Sequence, residues 1–213
     1  MKQFSILDQI INEIDVALRA IIPPQQRVSK RPSPADKINT THLTTNQKKH
    51  VAGLMRVNHS GEVCAQALYQ GQALTARLTH VKKQMANAAL EEIDHLSWCE
   101  QRLYELNSQP SLLNPLWYIG SFTIGAFAGL IGDQFSLGFL AETETQVSAH
   151  LQKHLQKLPP EDKKTELILK QMQEDEAQHA EAAKQAGAME LPRALKNLMN
   201  TTSKIMTKTS YYI

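Results

Sequence analysis

A chain of 213 residues is long enough for one domain with a sizeable core and short for two. Hydrophobic residues make up 42% and charged residues 21%, ordinary for a globular protein; the net charge of +2 supplies no basic stripe for nucleic acid. Two cysteines, Cys64 and Cys99, show no CxxC or CxxH spacing, which leaves them as reduced thiols and excludes a disulfide framework.

Residues 4–22 read as an amphipathic helix with Leu7, Ile10, Ile11, Ile14, Leu18 and Ile21 on one stripe. Asp8, Glu13 and Asp15 interrupt the only apolar run near the N-terminus, so this is no signal peptide and a cytoplasmic protein is expected. Residues 23–45 are rich in Pro, Ser, Thr, Lys and Arg without periodicity, and read as a linker. The chain thus divides into an N-terminal appendage, residues 1–45, and a main domain, residues 46–213. The appendage is expected to dock on a partner or a membrane.

Four long helices are predicted next, over residues 45–80, 81–106, 132–158 and 162–186. Pro159 and Pro160 end the third, and Gly187 stops the fourth. No segment alternates as a strand, so the class is all-α. Between the second and third lies SLLNPLWYIGSFTIGAFAGLIG, residues 111–132, with no charged residue. Its length suits a membrane span, but Pro115, four glycines and the lack of a second span favour an interfacial helix with Trp117 and Tyr118 at headgroup level. A buried hairpin closing the bundle is the alternative. The basic, amphipathic tail from Pro192 lies either on an anionic leaflet or in solvent.

The informative feature is acid in the wrong place. Glu62 falls on the line of Val51, Met55, Ala65 and Tyr69. Glu92 and His95 fall within Met85, Ala88, Leu96, Cys99 and Leu103; Glu144 within Leu137, Leu140, Val147 and Leu151; Glu176 and His179 within Leu169, Met172, Ala183 and Ala186. An ionised carboxylate in an apolar interior costs several kcal/mol unless paired, and these stripes carry no Lys or Arg. Two divalent cations would balance four carboxylates and two neutral imidazoles.

Spacing sharpens the inference. Only His95 and His179, of eight histidines, have Glu three residues earlier, which puts both side chains on one helix face. Glu62 precedes Glu92 by 30 residues and Glu144 precedes Glu176 by 32, so the two halves repeat. One inward Glu and one ExxH per half is the ligand pattern of ferritin-like di-iron and di-manganese bundles. Oxygen-rich ligands with one nitrogen per metal suit iron, or less well manganese, better than zinc. In the usual arrangement Glu62, Glu92 and His95 serve one metal and Glu144, Glu176 and His179 the other, with Glu92 and Glu176 bridging. Glu91 and Asp175, each four residues before a ligand His, are either acceptors for the second imidazole N–H or solvated acids.

The runs RVNHSGEVCAQALYQGQ (residues 56–72), EEIDHL (91–96), NPLW (114–117), AETETQVSAHL (141–151) and EDEAQH (174–179) resemble demethoxyubiquinone hydroxylases, with no departure at a ligand position. The resemblance spans about residues 46–213, and the N-terminal extension looks like the longer bacterial form. It implies a di-iron monooxygenase that uses O2 to hydroxylate the ring of a polyprenylated demethoxy-benzoquinol, reached from the cytoplasmic side of the cell membrane. Other ubiquinone-biosynthesis proteins or a second copy are the implied protein partners. Residues 111–132 offer the lipid-contacting surface, and Tyr69 is placed to border the access route. His59 and His150 flank ligands and read as substrate-side or hydrogen-bonding groups; Asp133 reads as a helix cap. The rivals are a ferritin-like ferroxidase or iron store, and a membrane-associated module with a structural metal.

Overall fold

The computed structural model describes residues 5–24, 27–39 and 42–213, apart from the side chains of Ile6, Gln9, Ile10, His80 and Gln84. Phe4, Ile10's place on the stripe and parts of the linker therefore lie outside the described residues. Among the described residues seven helices are formed: α1 (Ile6–Ile21), α2 (Thr45–Thr75), α3 (Thr79–Glu105), α4 (Asn114–Ile131), α5 (Asp133–Leu155), α6 (Lys163–Gln185) and α7 (Arg193–Ser210). No strand occurs among the described residues.

Local chemistry sets the helix ends. Thr44 and Gln47 form a capping box that starts α2, and the Asp162 carboxylate accepts the Thr165 N–H to start α6. Gly187, at φ +100°, follows the end of α6 as expected. The α2–α3 boundary falls earlier than predicted, at residues 76–78 instead of 80–81. There the Asp133 carboxylate accepts the N–H groups of Arg77 and Leu78 at 3.0 and 2.8 Å. Asp133 caps, as expected, but it serves the far end of another hairpin.

Helices α2, α3, α5 and α6 make the bundle, and its core has two storeys. One holds Val51, Met55, Trp98, Cys99, Leu103, Leu151, Leu169 and Met172; the other holds Ala65, Tyr69, Val81, Met85, Leu137, Leu140 and Ala183. Following the chain, α2 and α6 pass from the first storey to the second, while α3 and α5 pass back. Two helices therefore run one way and two the other. All the inward acids sit between the storeys.

This order requires a crossover, because α3 ends and α5 begins at opposite ends of the bundle. Helix α4 is that crossover: 18 residues rise roughly 27 Å along α2. Its glycines, which in sequence looked like a weakness, permit the contact. A Cβ on Gly125 would fall on the Leu68 carbonyl oxygen, and one on Gly71 on that of Phe122. The opposite face leaves Leu116, Ile119, Ile124, Phe127, Leu130 and Ile131 exposed. Among the described residues no helix is long and apolar enough to cross a membrane.

The tail is a helix seated on the bundle. Its Tyr211 ring fills the space over Gly53 and its hydroxyl meets His50 Nδ1 at 2.7 Å, while Trp117 Nε1 donates to Ser210 Oγ at 3.0 Å. The N-terminal extension also packs on the bundle. Ala20, Ala17 and Ile21 of α1 pack against Val63, Ala67, Leu96 and Tyr118, and Ala35 and Leu43 enter the first storey. Residues 27–39 form a strap over α3, pinned where Arg27 Nη2 meets Glu100 Oε1 at 2.7 Å. Leu7, Ile11, Ile14 and Leu18 remain exposed on α1.

Candidate metal centre

Each bundle helix delivers acid to the level between the storeys. Glu62, Glu92, His95, Glu144 and Glu176 are all nearly or wholly buried there, and the His179 side chain is only 10% exposed. One ligand atom from each of Glu62, Glu92, His95 and Glu176 lies within 4.8 Å of the others. Around His95 Nδ1 stand Glu176 Oε1 at 3.2 Å, Glu92 Oε2 at 3.3 Å and Glu62 Oε2 at 3.4 Å. His179 Nδ1 stands 3.4 Å from both Glu92 Oε1 and Glu176 Oε2. Glu92 and Glu176 thus lie between the two imidazoles, where each would be within reach of both members of a metal pair. Glu144 and His179 fall outside the tight four-residue group; Glu144 lies beside Glu176 and accepts the Tyr69 hydroxyl on Oε1 at 2.7 Å.

The outward nitrogen of each ring is also held, but not by the acid on its own helix. His95 Nε2 lies 2.9 Å from Asp175 Oδ2 on α6, and His179 Nε2 lies 2.8 Å from Glu91 Oε2 on α3. The pairing is crossed. An acid four residues before a histidine sits a full turn away along the same helix, behind the ring; the facing helix meets it edge-on. Sequence spacing found the right acids and assigned each to the wrong ring.

The electrostatics follow from crowding in a dry place. Burial, reinforced by Glu92, lifts the Glu62 carboxyl well above its usual range; burial, with Glu176 and Glu92, does the same to Glu144. Burial raises Glu92 too, yet His179 and His95 outweigh it and hold that carboxyl below its usual range. Burial disfavours protonated imidazoles, but the surrounding acids prevail: His95 is raised well above normal and His179 is pushed up to about 12. The acids thereby draw positive charge to this level.

Protons satisfy this site poorly. Glu92 Oε1, Glu144 Oε2, Glu176 Oε2 and His179 Nδ1 are buried without a hydrogen-bond partner among the described residues. Four unpartnered donor atoms at one level, from three helices, fit cations that bind several ligands at once. The four carboxylates and two imidazoles suit a pair of iron ions, whose binding would release the imidazole protons.

Among the described residues, two cavities approach this level. The larger, about 600 Å³, is lined by Glu62, Cys64, Leu68, Leu116, Trp117, Phe139, Thr143, His150 and apolar residues of α7. The smaller, about 350 Å³, is lined by Tyr69, Glu91, Leu140 and His179. Tyr69 is therefore a Glu144 partner bordering the smaller opening, and not a wall of the larger one. His150 faces the large cavity with Nε2 buried and unpartnered, and burial with nearby Lys153 and Lys157 lowers it to about 4, so it is neutral at pH 7. His59 is fully buried away from it, with Nε2 3.3 Å from Glu100 Oε1 and Nδ1 3.2 Å from Asn114 Nδ2. Neither cysteine joins the metal level: Cys99 packs against Met172, and Cys64 lines the cavity.

A two-up, two-down helical bundle with a crossover and a buried Glu/His cluster of this make-up defines a ferritin-like, non-haem di-iron protein. The family model "Ubiquinone biosynthesis protein COQ7" matches residues 49–210, and the chain belongs to that family. It is 64% identical to a 3-demethoxyubiquinol 3-hydroxylase of Legionella pneumophila (strain Corby) over 213 residues, covering all of both chains. It is 56% identical, again over the full length of both, to the enzyme of that name from Acinetobacter baylyi.

Proposed function

We propose that this chain hydroxylates the ring of a polyprenylated 3-demethoxyubiquinol with O2, using two irons held by Glu62, Glu92, His95, Glu144, Glu176 and His179. The observation that carries the reading is the large apolar cavity opening directly on Glu62. An iron store needs a path for hydrated cations, which this lining disfavours; a flat aromatic ring with an isoprenoid tail matches it. Bound as the reduced pair, the irons would supply O2 activation and the two electrons that, with two protons, let one oxygen atom enter a ring C–H bond and the other leave as water.

The chain's own groups do the rest. The ring enters on the Glu62 side, where Leu68, Leu116, Phe139 and Val147 exclude water and hold it by contact. His150, neutral and lining this cavity, turns its Nε2, unpartnered among the described residues, toward a quinol hydroxyl and so fixes which ring carbon faces the metals. Tyr69 keeps its proton, since burial and the Glu144 charge raise its phenol well above the ordinary range, and it steadies Glu144 from the opposite side. The tail leaves along the lipid-facing residues of α4 and α7. Exposed Ile119, Phe127 and Ile131 on α4 and Ile11 and Ile14 on α1 support peripheral seating on the cytoplasmic face of the cell membrane.

The test is a single turnover of iron-loaded protein with the reduced demethoxy-quinol and 18O2. One 18O atom in the ring of the product is expected. Oxidised iron beside unmodified quinol would replace this reading with a ferroxidase.

A further inference from the structure

The strap of residues 27–39 precedes the segment that the family model matches, yet it reaches the back of the metal centre. Arg31 is the contact. Its Nε donates to Asp94 Oδ2 at 3.0 Å, and its Nη2 lies 2.8 Å from Asp175 Oδ2. Its guanidinium lies 4.9 Å over the Trp98 ring, whose Nε1 donates to the Arg31 carbonyl at 3.4 Å. The Lys30 N–H donates to Asp94 Oδ1 at 2.7 Å, completing the anchorage. Asp175 Oδ2 is also the atom that meets His95 Nε2.

We propose that Arg31 is a positioning residue for the metal centre: it locks Asp175, and through it aims His95 Nδ1 between Glu62, Glu92 and Glu176. Three physical points carry this. Asp94 and Asp175 are buried acids on different helices, α3 and α6, and the guanidinium is the cation between them. Without it they repel, and the Asp175 carboxylate keeps only the Gln171 amide, which donates to Oδ1 at 3.0 Å, to limit its rotation, while Oδ2, the atom that meets His95, loses its cation. A planar fork reaches two separate carboxylates at once, which a lysine ammonium on one stem does poorly. Finally, the acceptor on the outer nitrogen sets both the tautomer and the orientation of a ligating imidazole. The acceptor of His179, Glu91, is half exposed and has no Lys or Arg paired with it among the described residues. The His95 half of the site is the rigid half, and an N-terminal segment outside the bundle makes it so.

The proposal rests on the di-iron reading, and Fe(II) binding separates their failures. Metal-free full-length protein is titrated anaerobically with Fe(II) by calorimetry as wild type, Arg31→Gln, Asp175→Asn and the double variant. Removing partners of metal ligands costs 10–100-fold in affinity, so Asp175→Asn should fall in that range and Arg31→Gln should lose about tenfold. In the Asp175→Asn background the Arg31 change should add less than about threefold, since both act through one carboxylate. Arg31→Lys should fall between wild type and Arg31→Gln. Arg27→Gln breaks the strap's other ion pair, to Glu100, and should lower the melting temperature while leaving Fe(II) affinity unchanged. Unchanged affinity in Arg31→Gln, equal losses in both backgrounds, or a matching loss in Arg27→Gln would each overturn the proposal. Wild type that takes up no iron would instead overturn the di-iron reading.

Discussion

Consider Glu144→Gln in the metal-free protein. Glu144 is fully buried beside Glu92 and Glu176; its Oε1 accepts the Tyr69 hydroxyl, and its Oε2 has no partner among the described residues. Glutamine keeps the shape and the acceptor for Tyr69 but carries no charge. The acid's cost is capped, because a carboxyl can always take up a proton; from its ordinary value of 4.5 to pH 7 that costs at most about 3.4 kcal/mol. The amide's own unpaired NH2 takes back about 1–2 kcal/mol. We therefore expect Glu144→Gln to stabilise the metal-free protein by about 1–2 kcal/mol, or roughly 2–8 °C in Tm for a chain of this size. The sign with pH follows from linkage. A carboxyl whose folded pKa is raised binds more protons when folded, so its contribution is greatest below 4.5 and is lost as pH rises through the folded value. The gain from Glu144→Gln should accordingly grow between pH 4.5 and 7. Iron reverses the order: bound at a thousand times its Kd it adds about 4 kcal/mol to wild type, and less to a variant lacking one ligand. Urea denaturation at several pH values, with and without Fe(II), measures all of this. A metal-free variant less stable than wild type at pH 7, or one gaining as much from iron, would refute the view that these acids are held in place against their own repulsion.

Two further outcomes are expected. Gly125→Ala drives a methyl group into the Leu68 carbonyl and should cost about 1–3 kcal/mol as α4 lifts from α2, whereas Gly120→Ala, which meets nothing, should be neutral or gain up to about 1 kcal/mol. Thermal melts distinguish the pair. Phe127→Glu with Ile131→Glu, both on the exposed face of α4, should abolish pelleting with phospholipid vesicles while leaving helix content intact; undiminished pelleting would place the lipid contact elsewhere.

Much of this molecule was legible in one dimension because the relevant physics is periodic. A helix repeats every 3.6 residues, so a glutamate within a line of leucines is marked as buried before any coordinate exists, and two ExxH segments at matching intervals mark a charge that only cations can balance. The all-α class, the four bundle helices and the level at which Glu62, Glu92, His95, Glu144, Glu176 and His179 meet all follow from that repeat. What tertiary structure decided has no period. Asp175 holds His95 and Glu91 holds His179 because facing helices meet edge-on, a matter of azimuth between helices that spacing within one helix does not encode. Helix α4 became a crossover instead of a hairpin because α3 and α5 run the same way, and its glycines act through a neighbour's backbone. Arg31, in a stretch that reads as unpatterned linker, joins two acids more than sixty residues away, since an ion pair depends on distance in space and leaves no mark on order along the chain.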